Sequence, residues 1–344
     1  MPRLPLAALA VSLALAGCDF TPTLDVAVPD FAPALTVNGV LAADSTVEVR
    51  VTAATDPYQD QERQSMFVVP DGTTAELFQD GASVGPLRLE SERCPDWSAY
   101  AGSDEPFPTF ECGAFVSGAV VRPGATYTLR VAAPGYPPAE ATVTVPDRVA
   151  VAVESDPPTV REFGSLTTVS HSLRVSFRDP PGEGDRYALL AVSGPYRYTD
   201  RYSVCRDPAC QDRVDTTVVV SRNRAPMSYT TTDPVLLAGA RTLPSNGTPF
   251  ITFTDEAFDG TRRTFPILSG SVRSETDGAV NRELAAVWVV AVDAATFGAY
   301  QIAWFGNPTG DDFNPFAEPA DLPSNVAGGY GLLGAVTINE ALVE

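Results

Sequence analysis

Leu15-Ala16-Gly17-Cys18 is the run whose residue types and order point to a definite chemistry. It closes a stretch from Leu4 to Leu15 made mostly of Leu, Ala and Val, behind a minimal positive start at Met1 and Arg3. Small residues at Ala16 and Gly17 followed by a thiol are what a lipoprotein signal peptidase requires, because that thiol is lipidated before the preceding bond is cut. The apolar run, about 12 residues, is too short for a bilayer core that takes about 20. The sequence therefore predicts a signal peptide over residues 1–17, processing at Cys18, and attachment to a membrane through N-terminal acyl chains.

Four other cysteines remain, an even set that outside the cytosol favours disulfides. Cys94 and Cys112 bracket a Pro- and Asp-containing loop, and Cys205 and Cys210 enclose only Arg206 to Ala209. Three connectivities are open, and nearest-neighbour pairing, Cys94 with Cys112 and Cys205 with Cys210, is the expected one. A four-thiolate zinc site would need paired short spacings or a histidine partner, which this arrangement lacks. No metal or other cofactor is expected.

The remaining candidate chemistry is weaker. His171, the single histidine, shares a strand phase with Val169, Leu173, Val175 and Phe177, which suits a packed side chain better than a catalytic one. With one histidine and no G-x-S-x-G or H-E-x-x-H, no catalytic residues are assigned. Gly329-Tyr330-Gly331-Leu332-Leu333-Gly334 is a literal G-x-G-x-x-G, but a nucleotide fold needs it to open a helix, with an acid about 20 residues later. Here Ala335-Val336-Thr337-Ile338 reads as a strand, so the glycines are expected at a close sheet crossing. Asp255, Glu256 and Asp259, and separately Asp311, Asp312 and Asn314, offer oxygens of the kind calcium takes, without the spacing of a twelve-residue calcium loop. Solvated turns are the expectation for both. The best candidate contact patch is Tyr196, Arg197, Tyr198, Arg201 and Tyr202, because Tyr and Arg combine large contact area with a polar tip. An ordinary long decorated hairpin is the plainer reading of that stretch.

These residues sit on a chain patterned almost throughout with period two. Val47, Val49 and Val51 alternate with Glu48 and Arg50; Tyr127, Leu129 and Val131 with Thr126, Thr128 and Arg130; Ala141, Val143 and Val145 with Thr142 and Thr144. The Pro123-Gly124 turn shortly before Tyr127 has the form of a tyrosine corner. The predicted fold is all-β and mainly antiparallel. A Pro-containing tether over 18–34 leads to an immunoglobulin-like sandwich over 35–146, and a second β-rich domain with one short helix occupies 147–344. Leu284 to Val292, apolar on both faces, reads as a strand between layers. The helix follows it, capped by Asp293 and carrying Phe297, Tyr300 and Trp304 toward the core.

Composition narrows the partners. The chain has 23 basic and 43 acidic side chains, a formal charge of −20, and every basic one is Arg; loss of residues 1–17 removes Arg3 and leaves it more acidic still. Such a surface repels phosphate backbones, so nucleic acid is excluded as a natural partner. A hydrophobic content of 44% is enough for packed cores.

Several runs, in order along the chain, resemble one family. They are Val37-Asn38-Gly39, Gln79-Asp80-Gly81, Pro123-Gly124-Ala125-Thr126-Tyr127, Thr232-Asp233-Pro234-Val235-Leu236, Phe253-Thr254-Asp255-Glu256-Ala257-Phe258-Asp259-Gly260, Asn314-Pro315-Phe316-Ala317-Glu318-Pro319, and Ser324-Asn325-Val326-Ala327-Gly328-Gly329-Tyr330-Gly331. With the lipobox, they resemble the bacterial lipoproteins grouped as domain of unknown function 4249. The resemblance implies residence in the cell envelope, at the outer membrane, and an accessory role beside a TonB-dependent outer-membrane transporter or receptor. It carries no catalytic residues. On this reading the protein is a non-catalytic binding lipoprotein whose ligand is unspecified. The alternative is a surface hydrolase or carbohydrate-binding enzyme whose acidic residues converge only in the fold. The two cysteine loops depart from the family pattern.

Overall fold

The computed structural model describes residues 33–54, 68–95, 109–164, 166–182, 184–204, 213–221, 224–239, 250–274, 283–305 and 324–343. Residues 33–344 form one compact unit. Its first half supplies β1 (Leu35–Ala42), β2 (Thr46–Ala53), β3 (Thr74–Gln79), β4 (Ala82–Pro86), β5 (Arg88–Pro95), β6 (Thr109–Val120), β7 (Thr126–Ala132) and β8 (Ala139–Thr144). Then come β9 (Val151–Ser155), β10 (Thr159–Phe163), β11 (Leu166–Arg178), β12 (Arg186–Ser193), β13 (Tyr196–Val204), β14 (Arg213–Ser221), β15 (Pro226–Met227) and β16 (Tyr229–Thr231). A one-turn helix α1 (Pro234–Gly239) precedes β17 (Ile251–Thr254), β18 (Arg262–Ser274) and β19 (Leu284–Val292). The helix α2 (Ala294–Phe305), β20 (Val326–Ala327) and β21 (Gly329–Leu342) complete the order.

The fold is all-β and mainly antiparallel, as the alternation predicts. Among the described residues one sheet of nine strands runs β15-β12-β19-β21-β1-β2-β6-β5, with β17 also paired to β12. A five-stranded sheet, β20-β8-β7-β3-β4, covers one end of it, and another, β10-β11-β18-β16 with β9 on β11, covers the other. Each cover encloses its own core. The first is built from Leu35, Val37, Val49, Leu77, Tyr127, Leu129 and Leu333, and the second from Leu173, Phe177, Tyr187, Leu189, Phe265 and Val289. Both cores lie on one face of the long sheet, because the alternate residues Ala188, Val290, Val292 and Val336 pack on the other with Phe297 and Tyr300 of α2. That is why Leu284 to Val292 is apolar on both faces.

The predicted local devices are present. The Tyr127 hydroxyl, fully buried, accepts the Arg122 backbone N–H at 2.9 Å, the bond expected of a tyrosine corner. Asp293 caps α2, its Oδ2 accepting the N–H groups of Ala295 at 2.8 Å and Thr296 at 3.2 Å. The chain passes from the first core to the second at Pro146, and the long sheet runs through both. The chain's last strand holds it together, since β21 pairs in parallel with β1 and antiparallel with β19. No helix among the described residues is long and apolar enough to cross a membrane.

Candidate functional site

Two loops at one end of the second core bring four aspartates together, and strand register explains how. In the cover sheet Arg178, the last residue of β11, pairs with Arg262, the first of β18. In the long sheet Arg186, the first of β12, pairs with Thr254, the last of β17. The loops 179–185 and 255–261 therefore both step from one sheet to the other, side by side. Backbone bonds continue the ladders into them: Asp179 N–H donates to Thr261 O at 3.0 Å and Asp255 N–H to Asp185 O at 3.1 Å.

Phe258 seats the second loop. It is buried against Phe177, Phe253 and Phe265, with ring centroids 5.8 Å, 6.2 Å and 5.8 Å away. The turn ends at Gly260, whose φ of 68° is the left-handed conformation that glycine adopts at little cost. Its N–H donates to Asp179 Oδ2 at 2.9 Å, and the Tyr187 hydroxyl donates to Asp179 Oδ1 at 2.6 Å. Across the gap the Gly182 N–H donates to Asp259 Oδ1 at 2.9 Å.

Carboxylate oxygens of Asp179, Asp255 and Asp259 lie within 4.8 Å of one another. Asp179 is 1% and Asp255 0% exposed, whereas Asp259 reaches solvent. Neither carboxylate oxygen of Asp255 has a hydrogen-bond partner. Among the described residues none of these acids is in a salt bridge; the nearby Arg186 guanidinium donates instead to Gly184 O at 2.6 Å. The negative field is felt next door. Burial, and then the charges of Asp179, Asp255 and Asp259, push the Asp185 carboxyl up to about 6. Burial and the bond to Asp179 drive the Tyr187 phenol well above its usual range. Asp185 also lines a cleft of about 620 Å³ between the two cores, walled by Gly124, Asp147, Tyr187, Asp293 and Asn325.

Of the residues singled out in sequence, Asp255 and Asp259 meet here, while the exposed Glu256 does not join them. The solvated turn expected at this position is half wrong: Asp255 is buried because Phe258 draws its loop inward. Asp179 and Asp185 escaped sequence reasoning because they lie on a different loop, far along the chain. The one local signal was the turn-forming Asp179-Pro180-Pro181-Gly182 run after an apolar strand. His171 pairs with Ser269 on β11 and is half-buried on the phase of Leu173 and Val175.

The other candidates are placed only in part. Tyr196, Arg197, Tyr198, Arg201 and Tyr202 all fall on β13, which among the described residues pairs only with β14, Tyr198 opposite Val219 and Arg201 opposite Thr216. The tyrosines occupy one set of alternating strand positions and the arginines the other. Cys112 is disulfide-bonded. The β5–β6 register sets Cys94 opposite Phe110 and Cys112 opposite Glu92, so the two cysteines are a diagonal step apart on the ribbon. Residues 1–32 with Cys18, the Cys205 and Cys210 loop, Asp311, Asp312 and Asn314, and the side chain of Trp304 lie outside the described residues.

Gly331 and Gly334 of the G-x-G-x-x-G run lie within β21, where Gly331, at φ 101°, passes so close to β1 that a Cβ would strike the Val37 carbonyl oxygen. The motif is a sheet crossing and not a phosphate loop. No curated relative matches the chain. The family described as Domain of unknown function (DUF4249) matches residues 20–341, nearly the whole chain, and the protein belongs to it.

Proposed function

We propose that the protein is a membrane-anchored lipoprotein of the bacterial cell envelope, a non-catalytic binding or accessory component working beside a TonB-dependent outer-membrane transporter. The observation that carries this reading is the Leu15-Ala16-Gly17-Cys18 run after its apolar stretch. The family match begins at residue 20, just past Cys18, which fits a leader that is no part of the working chain. Two acyl chains on Cys18 hold such a protein stably on a bilayer. The contact element is the β13–β14 hairpin, which among the described residues joins neither cover sheet. From Tyr196 to Arg224 it carries six Arg and four Asp, a local positive excess on an acidic protein.

One observation speaks for the hydrolase alternative: acids do converge. Their geometry argues against it. Paired carboxyl groups that hydrolyse glycosides stand about 5–5.5 Å or 6.5–9.5 Å apart with a sugar between them. Asp179 and Asp255 are 1% and 0% exposed, so protein covers both and keeps a sugar from standing between them.

The test is affinity purification of the tagged protein from detergent-solubilised envelopes. Co-purification of a TonB-dependent receptor, weakened in the double variant Tyr198→Ala with Arg201→Ala, is the expected result. In the same cells Cys18→Ser releases the protein into the soluble periplasmic fraction. A Cys18→Ser protein that stays on the membrane overturns the anchor. Recovery of the protein alone, together with glycan turnover by the pure protein, overturns the binding role.

A further inference from the structure

We propose that Asp179, Asp255 and Asp259 form a binding site for one divalent cation of the calcium class, which clamps the 179–185 loop to the 255–261 loop beside the cleft between the two cores. The carboxylate of Asp255 points to a ligand. It is 0% exposed, neither oxygen has a hydrogen-bond partner, and oxygens of two more carboxylates lie within 4.8 Å. Taking an ionised carboxylate from water without a hydrogen-bond partner or counter-charge is strongly unfavourable. A cation at the point where the three side chains converge removes both penalties at once.

Asp233, a buried aspartate outside this cluster, shows what ordinary satisfaction looks like here. Asp233 Oδ1 accepts the Val235 N–H at 2.9 Å, and its Oδ2 accepts the Arg263 guanidinium at 2.8 Å. Asp255 has neither kind of partner, so the fold provides for the one acid and leaves the other to something it binds.

Donor chemistry selects the cation. The converging atoms are all carboxylate oxygens, and the single histidine is on β11 in the cover sheet, so among the described residues no nitrogen or sulfur ligand of the zinc type joins the cluster. Asp255 offers both oxygens. Asp179 keeps a free lone pair on each, because its two bonds from Tyr187 and Gly260 use one apiece. Asp259 offers Oδ2, its Oδ1 being held by Gly182. Calcium takes six to eight oxygens in flexible geometry with bidentate carboxylates, and water reaching the exposed Asp259 completes the shell. Magnesium keeps several waters in a strict octahedron, for which two covered carboxylates leave little space. Gly182 and Gly260 tie the ligands into position, so the site is preorganised on both loops.

Titration of calcium chloride into the full chain stripped with EDTA, followed by calorimetry and by thermal melts in calcium or in EDTA, tests the site. One calcium per chain and a melting temperature several degrees higher in millimolar calcium are expected. Asp255→Asn should abolish that shift while melting higher than the parent in EDTA, because the isosteric amide removes the uncompensated charge. The exposed Asp259→Asn, which cannot disturb the core, should weaken calcium binding at least tenfold. No binding heat and no calcium-dependent shift in the parent overturns the proposal, as does unaltered affinity in Asp259→Asn. Stabilisation of the parent by acidification alone, with calcium without effect, overturns it too.

Discussion

Asp255 and Glu256 are neighbours in the chain and opposites in environment, one buried and the other exposed. The difference comes from Phe258, whose ring packs into the aromatic core and draws Asp255 inward with it. The same dependence on packing governs the cysteines, whose chemistry is set by which partner the strands deliver. Cys112 is disulfide-bonded, and β5 carries Cys94 a diagonal step from it. Mass spectrometry of a non-reduced digest should therefore link Cys94 with Cys112, and Cys205 with Cys210; free thiols at all four positions, or bound zinc, would contradict the framework. At this scale the sequence was readable wherever the cause is local. Tyr127 is five residues from the Arg122 N–H it satisfies, and Asp293 directly precedes the helix it caps. Asp179 was not readable as a partner of Asp255, because their approach depends on two separate strand registers and on a turn between sheets.

Elements show the same divide between period and placement. The two-residue alternation of β2, β7 and β8 fixes which faces are buried, and Val47, Val49 and Val51 are all at or below 1% exposed. It does not say that β21 will lie between β1 and β19, a parallel neighbour on one side and an antiparallel one on the other. The glycines of β21 mark that placement. Gly331 sits against the Val37 carbonyl, and Gly334 lies where a Cβ would strike the Thr296 hydroxyl at the start of α2. Asp293 joins the same junction, its Oδ1 accepting the Ala335 N–H at 2.6 Å, so helix cap and strand are fastened together. Gly331→Ala forces a side chain into a φ of 101° and into a carbonyl oxygen at once. A loss of about 3 kcal/mol is expected, read as a lower midpoint in urea at unchanged slope. An unshifted midpoint would show that β1 and β21 are not so closely apposed.

Among the described residues the two large cores share one sheet, and that combination decides how residues 33–344 come apart. Leu333 and Ala335 of β21 belong to the first core, while the pairing of β21 with β19 binds the same strand to the second. Buried polar bonds reinforce the join where the chain passes from one core to the other. Asn339 Oδ1 accepts the Val149 N–H at 3.0 Å, Asn339 Nδ2 donates to Val289 O at 3.0 Å, and the Thr337 hydroxyl donates to Pro146 O at 2.6 Å. Opening either sandwich strips β21 of one neighbour and leaves these groups unpaired in the other, a cost of about 1–3 kcal/mol for each. The cores should therefore unfold together despite being separate clusters. Calorimetry of the protein in calcium should give a single peak whose van't Hoff and calorimetric enthalpies agree. Residues 33–146 expressed alone should not fold, because Leu35, Val37 and Leu41 would face solvent along the edge that β21 covers. Two resolved peaks, or a folded 33–146 fragment, would mean that the shared sheet is a contact between independent halves and not the frame on which both are built.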